Sequence, residues 1–138
     1  MDDLTRLCLR SRDGDRGALD ALVRASHADV WRLCRHLVGS AGADDATQES
    51  FVRAVSAIGR FRGESSGRTW LLSIVRHTCA DVIRRRQRRR RLIERLGLHR
   101  IDDGFDAATN DVVSDLLARI DIDRRTAFVL TQILGLSY

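Results

Sequence analysis

Apolar side chains recur at helical spacing along most of this chain, and no proline interrupts them. Between residues 19 and 37 they fall on one helix face, with Asp15 as a candidate N-cap and Gly39 and Gly42 ending the run. The apolar positions are Leu19, Leu22, Val23, Val30, Leu33, Cys34 and Leu37. No segment alternates apolar and polar residues beside a hairpin turn signal. The pattern predicts an all-α fold.

Two further helices are predicted in the first two thirds of the chain. One runs from about residue 44 to residue 58 and places Phe51, Val55 and Ile58 on one face. The next runs from about residue 66 to residue 86, with Ser66 as its candidate N-cap. Its apolar positions are Leu71, Ile74, Val75, Thr78, Cys79, Val82 and Ile83. The Gly and Ser residues at 62–67 predict a loop between the two helices.

The chain of 138 residues has room for one ordinary domain or two very small ones. We expect a helical domain over residues 1–86 and a linker over residues 87–109. An incomplete helical segment over residues 110–138 is expected to follow. Helical spacing resumes there, and Asp121 can cap a last helix that stops at Gly135. We expect these C-terminal helices to bury their apolar faces poorly on their own.

Positive charge is concentrated in one short segment of the chain. All 24 basic residues are Arg, the formal net charge is +5, and residues 84–91 contain seven Arg interrupted only by Gln87. Such a segment repels itself and cannot be buried, so it could be a solvated helix end or a linker. It could also bind phosphates through counterion release. Its density of Arg favours nucleic-acid contact.

Several other classes of protein do not fit the sequence. Residues His27, Cys34 and His36 match no compact zinc spacing, and no motif for a catalytic nucleophile, phosphate loop or metalloprotease is present. We therefore expect no metal, no cofactor and no enzymatic activity. No apolar run approaches the roughly 20 residues that a membrane span requires. Three Cys without C-x-x-C spacing are typical of a reduced, cytoplasmic protein.

Three segments, taken in order and spacing, resemble the extracytoplasmic-function (ECF) sigma factors of bacterial RNA polymerase, of an actinobacterial kind. They read DDATQESFVRA at 44–54, F…TWLLSIVRHTCADVIRR at 61–85 and LLARI…RRTAFVL…GLSY at 116–138. The resemblance covers nearly the whole chain from about Ala18. It implies a helical bundle like sigma region 2, then the first part of a domain like sigma region 4. The helix-turn-helix that reads the promoter −35 element would begin at about residues 136–138, so we expect this chain to hold the lead-in to that motif without its recognition helix.

The resemblance implies that Asp45, Gln48 and Glu49 bind the coiled coil of the polymerase largest subunit. Spacings of three and four residues place them on one helix face. There the carboxylates and the amide can receive charge-assisted hydrogen bonds from Arg side chains of a partner. An alternative interpretation is an acidic first turn that favours its own helix dipole, which would suit Asp44 and Asp45.

The resemblance also implies that residues 62–67 and the following helix recognise and open the promoter −10 element. A Gly/Ser loop lets backbone approach an extruded base, and a basic groove can hold the displaced strand. Phe61 and Trp70 flank the loop, and each could stack on a base or fill the core, with the core favoured for Phe61. The candidate DNA-binding residues are Phe61, Arg62, Gly63, Ser65, Arg68, Trp70, Arg76, His77, Arg84, Arg85 and Arg88.

His77 occupies a position at which many members of the family carry Asn. Imidazole can still donate a hydrogen bond, but the changed geometry leaves the base preference open. His77 and Asp81 are four residues apart, so they could instead pair with each other.

The function expected from the resemblance is that of an alternative sigma factor. Such a protein would bind core RNA polymerase, recognise and melt the promoter −10 element, and be controlled by an anti-sigma factor. Two alternatives remain. One is a basic helical nucleic-acid-binding protein that depends on residues 84–91 alone. The other is an interaction module that binds polymerase or an anti-sigma factor without reading DNA.

Overall fold

The computed structural model describes residues 1–97, 116–117 and 119–136, and these residues contain no β-strand. The predicted all-α class is therefore confirmed. A short 3-10 turn, Ile58–Arg60, follows the third helix, and a π-helical turn, Val129–Ile133, continues the fifth. The helices whose bounds the structure describes are α1 (Asp3–Arg12), α2 (Arg16–Val38), α3 (Ser40–Ala57), α4 (Gly67–Arg95) and α5 (Ile122–Phe128).

Three helices begin at the caps that the sequence predicts, and the last of them, α5, is capped by Asp121, which accepts the Arg124 N–H at 3.1 Å. Asp15 accepts the Ala18 N–H at 3.0 Å at the start of α2, and Ser66 accepts the Thr69 N–H at 3.1 Å at the start of α4. Each side chain satisfies a backbone donor that the first helical turn leaves without an internal partner. The apolar pattern does not predict α1, whose N-cap is Asp2.

The junction between α2 and α3 is tighter than predicted. Gly39 ends α2 with a φ of +87°, and α3 begins at Ser40, so Gly42 lies inside α3 and ends no helix. Arg86 reaches this junction from α4 and donates to the Val38 carbonyl at 2.7 Å. A Cβ at Gly42 would collide with the Arg86 guanidinium. Glycine at this position therefore leaves room for the Arg86 guanidinium beside α3.

The core-facing side of α3 is made of small residues. The predicted apolar face is wrong for Val55, which is 46% exposed. Phe51 is only half-buried, and Ile58 is buried in the turn after the helix. Small side chains allow α3 to pack close to α2 and α4, so the larger side chains are turned outward. The buried residues of α3 are Ala43, Ala46, Thr47, Ser50 and Ala54.

Helix α4 continues to Arg95 and contains the whole Arg-rich segment 84–91. The predicted end of this helix near residue 86 is wrong, and residues 87–95, which the prediction assigns to the linker, are helical. Arg is a strong helix former, and no Gly or Pro interrupts α4 before Gly97. The remaining residues of the predicted linker, 98–109, lie outside the described residues, as do residues 110–115.

The core consists of two clusters joined by Trp70, which packs against both. The larger cluster lies between α2, α3 and α4, and the smaller one joins α1 to the loop before α4. The larger cluster includes Val30, Leu33, Cys34, Leu37, Leu71, Leu72, Val75 and Cys79. The smaller one contains Cys8, Leu22, Ile58 and Phe61.

The C-terminal segment packs onto the larger cluster. Leu117, Val129 and Leu134 are buried in it, so this segment buries these three side chains against the helices of the first domain. Arg125 at α5 donates to the Leu37 carbonyl at 3.0 Å. The carbonyl lies near the end of α2, where the last helical turn leaves acceptors without an internal partner.

Gly67, the first residue of α4, lies directly against α1. Its N–H donates to Thr5 Oγ1 at 2.9 Å. A Cβ at this position would stand 2.8 Å from Cys8 Sγ and 3.0 Å from the Leu4 carbonyl oxygen. The carbonyl belongs to the backbone, so α1 as a whole would have to move.

We expect Gly67→Ala to lower the free energy of unfolding by about 1–3 kcal/mol, because overpacking separates α1 from α4. Chemical denaturation followed by circular dichroism measures the change. Gly59→Ala is the matched control, since a Cβ there meets nothing within 4 Å, and its effect should stay within about 0.5 kcal/mol. Equal destabilisation by both variants would contradict the close packing of α1.

Candidate protein and nucleic-acid interfaces

Asp45, Gln48 and Glu49, which we call the docking patch, lie on α3. Asp45 and Gln48 are exposed, and the Glu49 side chain is 33% exposed. Because α3 begins at Ser40, its first turn contains no acidic residue. The helix dipole acts within the first turn, so the alternative interpretation of Asp44 and Asp45 as dipole partners does not fit this helix.

Asp44, unlike Asp45, makes a side-chain hydrogen bond to another helix. Its Oδ1 accepts the indole N–H of Trp31 at 3.0 Å. This hydrogen bond joins α3 to α2 beside the docking patch. Asp44 and Asp45 are both exposed, and no described ion pair engages Asp45.

Glu49 belongs to an ion-pair network between α3 and α4. Its Oε1 accepts from Arg53 Nη2 at 2.9 Å, and its Oε2 accepts from Arg85 Nη2 at 3.1 Å. Arg53 Nη1 donates to Asp81 at 2.8 Å, and Asp81 also pairs with Arg84. The hydrogen bonds from Arg53 and Arg84 hold the pKa of the Asp81 carboxyl below its usual value.

His77 does not pair with Asp81, although the sequence spacing allows that pair. The His77 ring contacts the Ser73 carbonyl oxygen through Nδ1 at 2.7 Å, and Asp81 is engaged by Arg53 and Arg84. His77 is exposed, with Nε2 on the solvent side near Arg76.

An apolar groove of about 660 Å³ opens beside the docking patch, between α2 and α3. The His27 and Phe51 rings stack at 6.1 Å along it, and Val52 and Val55 are 60% and 46% exposed. The sequence pattern places Phe51 and Val55 on one apolar face of the helix but does not show that this face borders an open groove. The signal that identifies the true core face is the helical spacing of small residues at 43, 46, 47, 50 and 54.

The loop before α4 is exposed at residues 62–66, and Gly63 has a φ of +76° that favours glycine. Arg62, Gly63 and Ser65 are therefore accessible to a ligand. Phe61 is 3% exposed and packs against Trp70 with ring centroids 5.2 Å apart. This burial fits the interpretation of Phe61 as a core residue, and Trp70 is half-buried beside it.

The exposed side of α4 presents most of the other candidate DNA-binding residues. Arg76, His77, Arg84, Arg85 and Arg88 are all exposed. We call this set the strand face. A cleft of about 400 Å³ between α3 and α4 adjoins it, and its lining includes Arg53, Arg60, Ile74 and His77.

Arg68 does not belong to the strand face, because its guanidinium binds partners elsewhere in the fold. Its Nε donates to Asp29 Oδ2 at 3.1 Å, and its Nη2 donates to the Leu134 carbonyl. The structure therefore uses Arg68 to join α4 to α2 and to the C-terminal segment.

All three cysteines are buried, and the hydrogen bond from Cys79 lowers the pKa of Cys34. Burial raises the pKa of Cys8 to about 11. The pKa of Cys79 is raised by the hydrogen bond that Cys79 makes to Cys34 and by burial. The described residues contain no group of three His, Cys, Asp or Glu side chains suited to a metal ion. Among the helices that the structure describes, none is both long enough and apolar enough to cross a bilayer.

Comparison with known proteins finds a matching family and several relatives, and they agree with one another. Residues 22–89 match the Sigma-70 region 2 family. The chain is 42% identical to the ECF RNA polymerase sigma factor SigC of Mycobacterium tuberculosis, over 98% of this chain and 75% of the relative. It is 32% identical to the ECF RNA polymerase sigma-E factor of Haemophilus influenzae, over 94% of this chain and 76% of the relative.

A solved structure is also similar over nearly the whole chain. The structure of CnrH in complex with the cytosolic domain of CnrY superposes with a TM-score of 0.70 at 26% identity. The match covers 98% of this chain and 78% of the CnrH chain.

The lowered pKa of Asp81 predicts an acid-sensitive contribution to stability. A carboxyl whose folded pKa is depressed stabilises the fold above its unfolded pKa, and this contribution is lost as pH falls through the folded pKa. We expect the free energy of unfolding to decrease below about pH 4, and Asp81→Asn to reduce that decrease. Denaturant titrations from pH 6 to pH 2 measure it, and an unchanged acid slope in the variant would contradict the network.

Proposed function

Because this chain belongs to the extracytoplasmic-function family of RNA polymerase sigma factors, we propose that α3 docks on polymerase while α4 holds promoter DNA. The family places the chain in transcription initiation as an alternative sigma factor. In the finer proposal, the docking patch binds the coiled coil of the largest subunit. The strand face and residues 62–66 bind the melted −10 element. The chain supplies recognition in the cytoplasm and catalyses no reaction itself.

The observation that carries the docking proposal is the outward orientation of both polar and apolar residues of α3. Asp45 and Gln48 are exposed next to a groove that contains Val52 and Val55. A partner helix can insert an apolar side chain into the groove while its Arg side chains bind the carboxylates. The groove thus adds His27 and Phe51 to the surface that the sequence predicts.

The proposal for DNA binding rests on a loop and a helix that are exposed side by side. Gly63 and Ser65 offer backbone that can approach an extruded base, and the basic strand face can follow the phosphates of the displaced strand. Phe61 supports Trp70 from within the core, so its contribution to DNA binding is indirect.

We also propose an anti-sigma partner for this chain. The similar chain CnrH was solved in complex with the cytosolic domain of CnrY. An exposed apolar groove beside the docking patch offers a regulatory protein a surface that overlaps the polymerase site.

The combined variant Asp45→Ala, Gln48→Ala, Glu49→Ala should weaken binding of core polymerase at least about tenfold, because three interface side chains lose their hydrogen bonds. Binding of purified core polymerase to labelled protein measures the affinity. A control variant, Asp3→Ala with Asp20→Ala, removes the same charge from exposed positions on α1 and α2. Unchanged affinity of the triple variant would reject the docking patch and favour the basic nucleic-acid-binding alternative.

The variant Arg84→Gln, Arg85→Gln, Arg88→Gln should reduce the salt dependence of promoter binding. If each Arg neutralises one phosphate, the slope of log affinity against log salt falls in magnitude by about 2. Holoenzyme binding to a promoter duplex with a pre-melted bubble, titrated with salt, measures the slope. The charge-matched control replaces Arg6, Arg16 and Arg24, which are exposed elsewhere. Equal slopes for both variants would support the module that does not read DNA.

A further inference from the structure

Arg53 occupies the centre of the ion-pair network between α3 and α4. One nitrogen of its guanidinium, Nη1, donates to Asp81 Oδ2 at 2.8 Å, and the other, Nη2, donates to Glu49 Oε1 at 2.9 Å. The planar guanidinium can reach two carboxylates at once, which a Lys ammonium at the end of a flexible chain does less well. Neither the periodicity of the sequence nor the family resemblance assigns Arg53 a function.

The carboxylates of Glu49 and Asp81 each bind a second Arg, which lies on α4. The second oxygen of Glu49 accepts from Arg85 at 3.1 Å, and the second oxygen of Asp81 pairs with Arg84. Each carboxylate is therefore bonded through both oxygens, and Glu49 is held in one orientation by residues of two helices. A carboxylate has capacity for further hydrogen bonds beyond these two, so Glu49 can still accept from a partner.

Arg53 lies where it can orient the Glu49 side chain while contributing little to the stability of the fold. Its side chain is 36% exposed, as is that of Asp81, and Glu49 is 33% exposed. Partly exposed ion pairs contribute little to stability on their own. A long side chain that is already ordered, however, loses less conformational entropy when a partner binds it.

We propose that Arg53 is a positioning residue that holds Glu49 in the orientation in which α3 presents it to polymerase. Asp81 anchors Arg53 on α4, so the docking surface is tied to the helix that carries the strand face. Arg53 acts through Glu49 and needs no contact with polymerase. This inference rests on the proposed docking patch.

A double-mutant cycle on core polymerase binding tests the inference. Arg53→Met keeps the length of the side chain and removes both hydrogen bonds, and it should weaken binding about five- to tenfold. Glu49→Gln should weaken binding by a similar factor. The double variant should bind no more weakly than Glu49→Gln alone, because both substitutions remove the same effect. Arg53→Lys should restore part of the affinity, and Asp81→Asn should weaken binding less than Arg53→Met.

The control Arg6→Met removes an exposed Arg from an ion pair with Asp3 on α1 and should leave the affinity unchanged. Circular dichroism confirms that each variant is folded at the assay temperature. If the two effects multiply in the double variant, Arg53 does not act through Glu49, and the inference fails while the docking patch stands. If Arg53→Met lowers only the melting temperature, the inference fails in the same way. If Glu49→Gln binds like the wild type, both the inference and the assignment of Glu49 to the docking patch fail.

Discussion

The close approach of α3 to α2 and α4 is the constraint on which the rest of the structure depends. Ala43, Ala46 and Ala54 fill the space between these helices, and larger side chains would separate them. The same packing turns Val52, Val55 and the docking patch outward. One face of α3 thus builds the core while the opposite face is exposed. A helix with few large apolar residues can therefore stabilise the fold and still offer the surface that we propose for docking.

Electrostatics connects the two candidate surfaces. Glu49 belongs to the docking patch, Arg84 and Arg85 belong to the strand face, and Arg53 with Asp81 lies between them. Opposite charges on neighbouring helices reduce the repulsion that seven Arg within residues 84–91 would otherwise create. Arg86 contributes differently, because it hydrogen-bonds the Val38 carbonyl at the end of α2. Arg84, Arg85 and Arg86 therefore make different contacts, although they lie in one segment.

Much of the fold could be predicted from local signals, whereas the features that required long-range information could not. Asp15 and Ser66 were predictable as caps because a cap depends on residues within one helical turn. The outward orientation of Val55 was not, because small core residues do not stand out as an apolar stripe. The length of α4 was missed because an Arg-rich segment is compatible with a helix and with a linker. The central position of Arg53 depends on Asp81, which lies 28 residues further along the chain.

The central claim is that one compact bundle binds polymerase with α3 and melted promoter with α4 at the same time. Photo-crosslinking in an open promoter complex tests it most directly, with a photoreactive residue at Gln48 in one protein and at His77 in another. We expect Gln48 to crosslink to the largest polymerase subunit and His77 to crosslink to the non-template strand. Crosslinking of both positions to the same partner, or of Gln48 to DNA, would contradict the account.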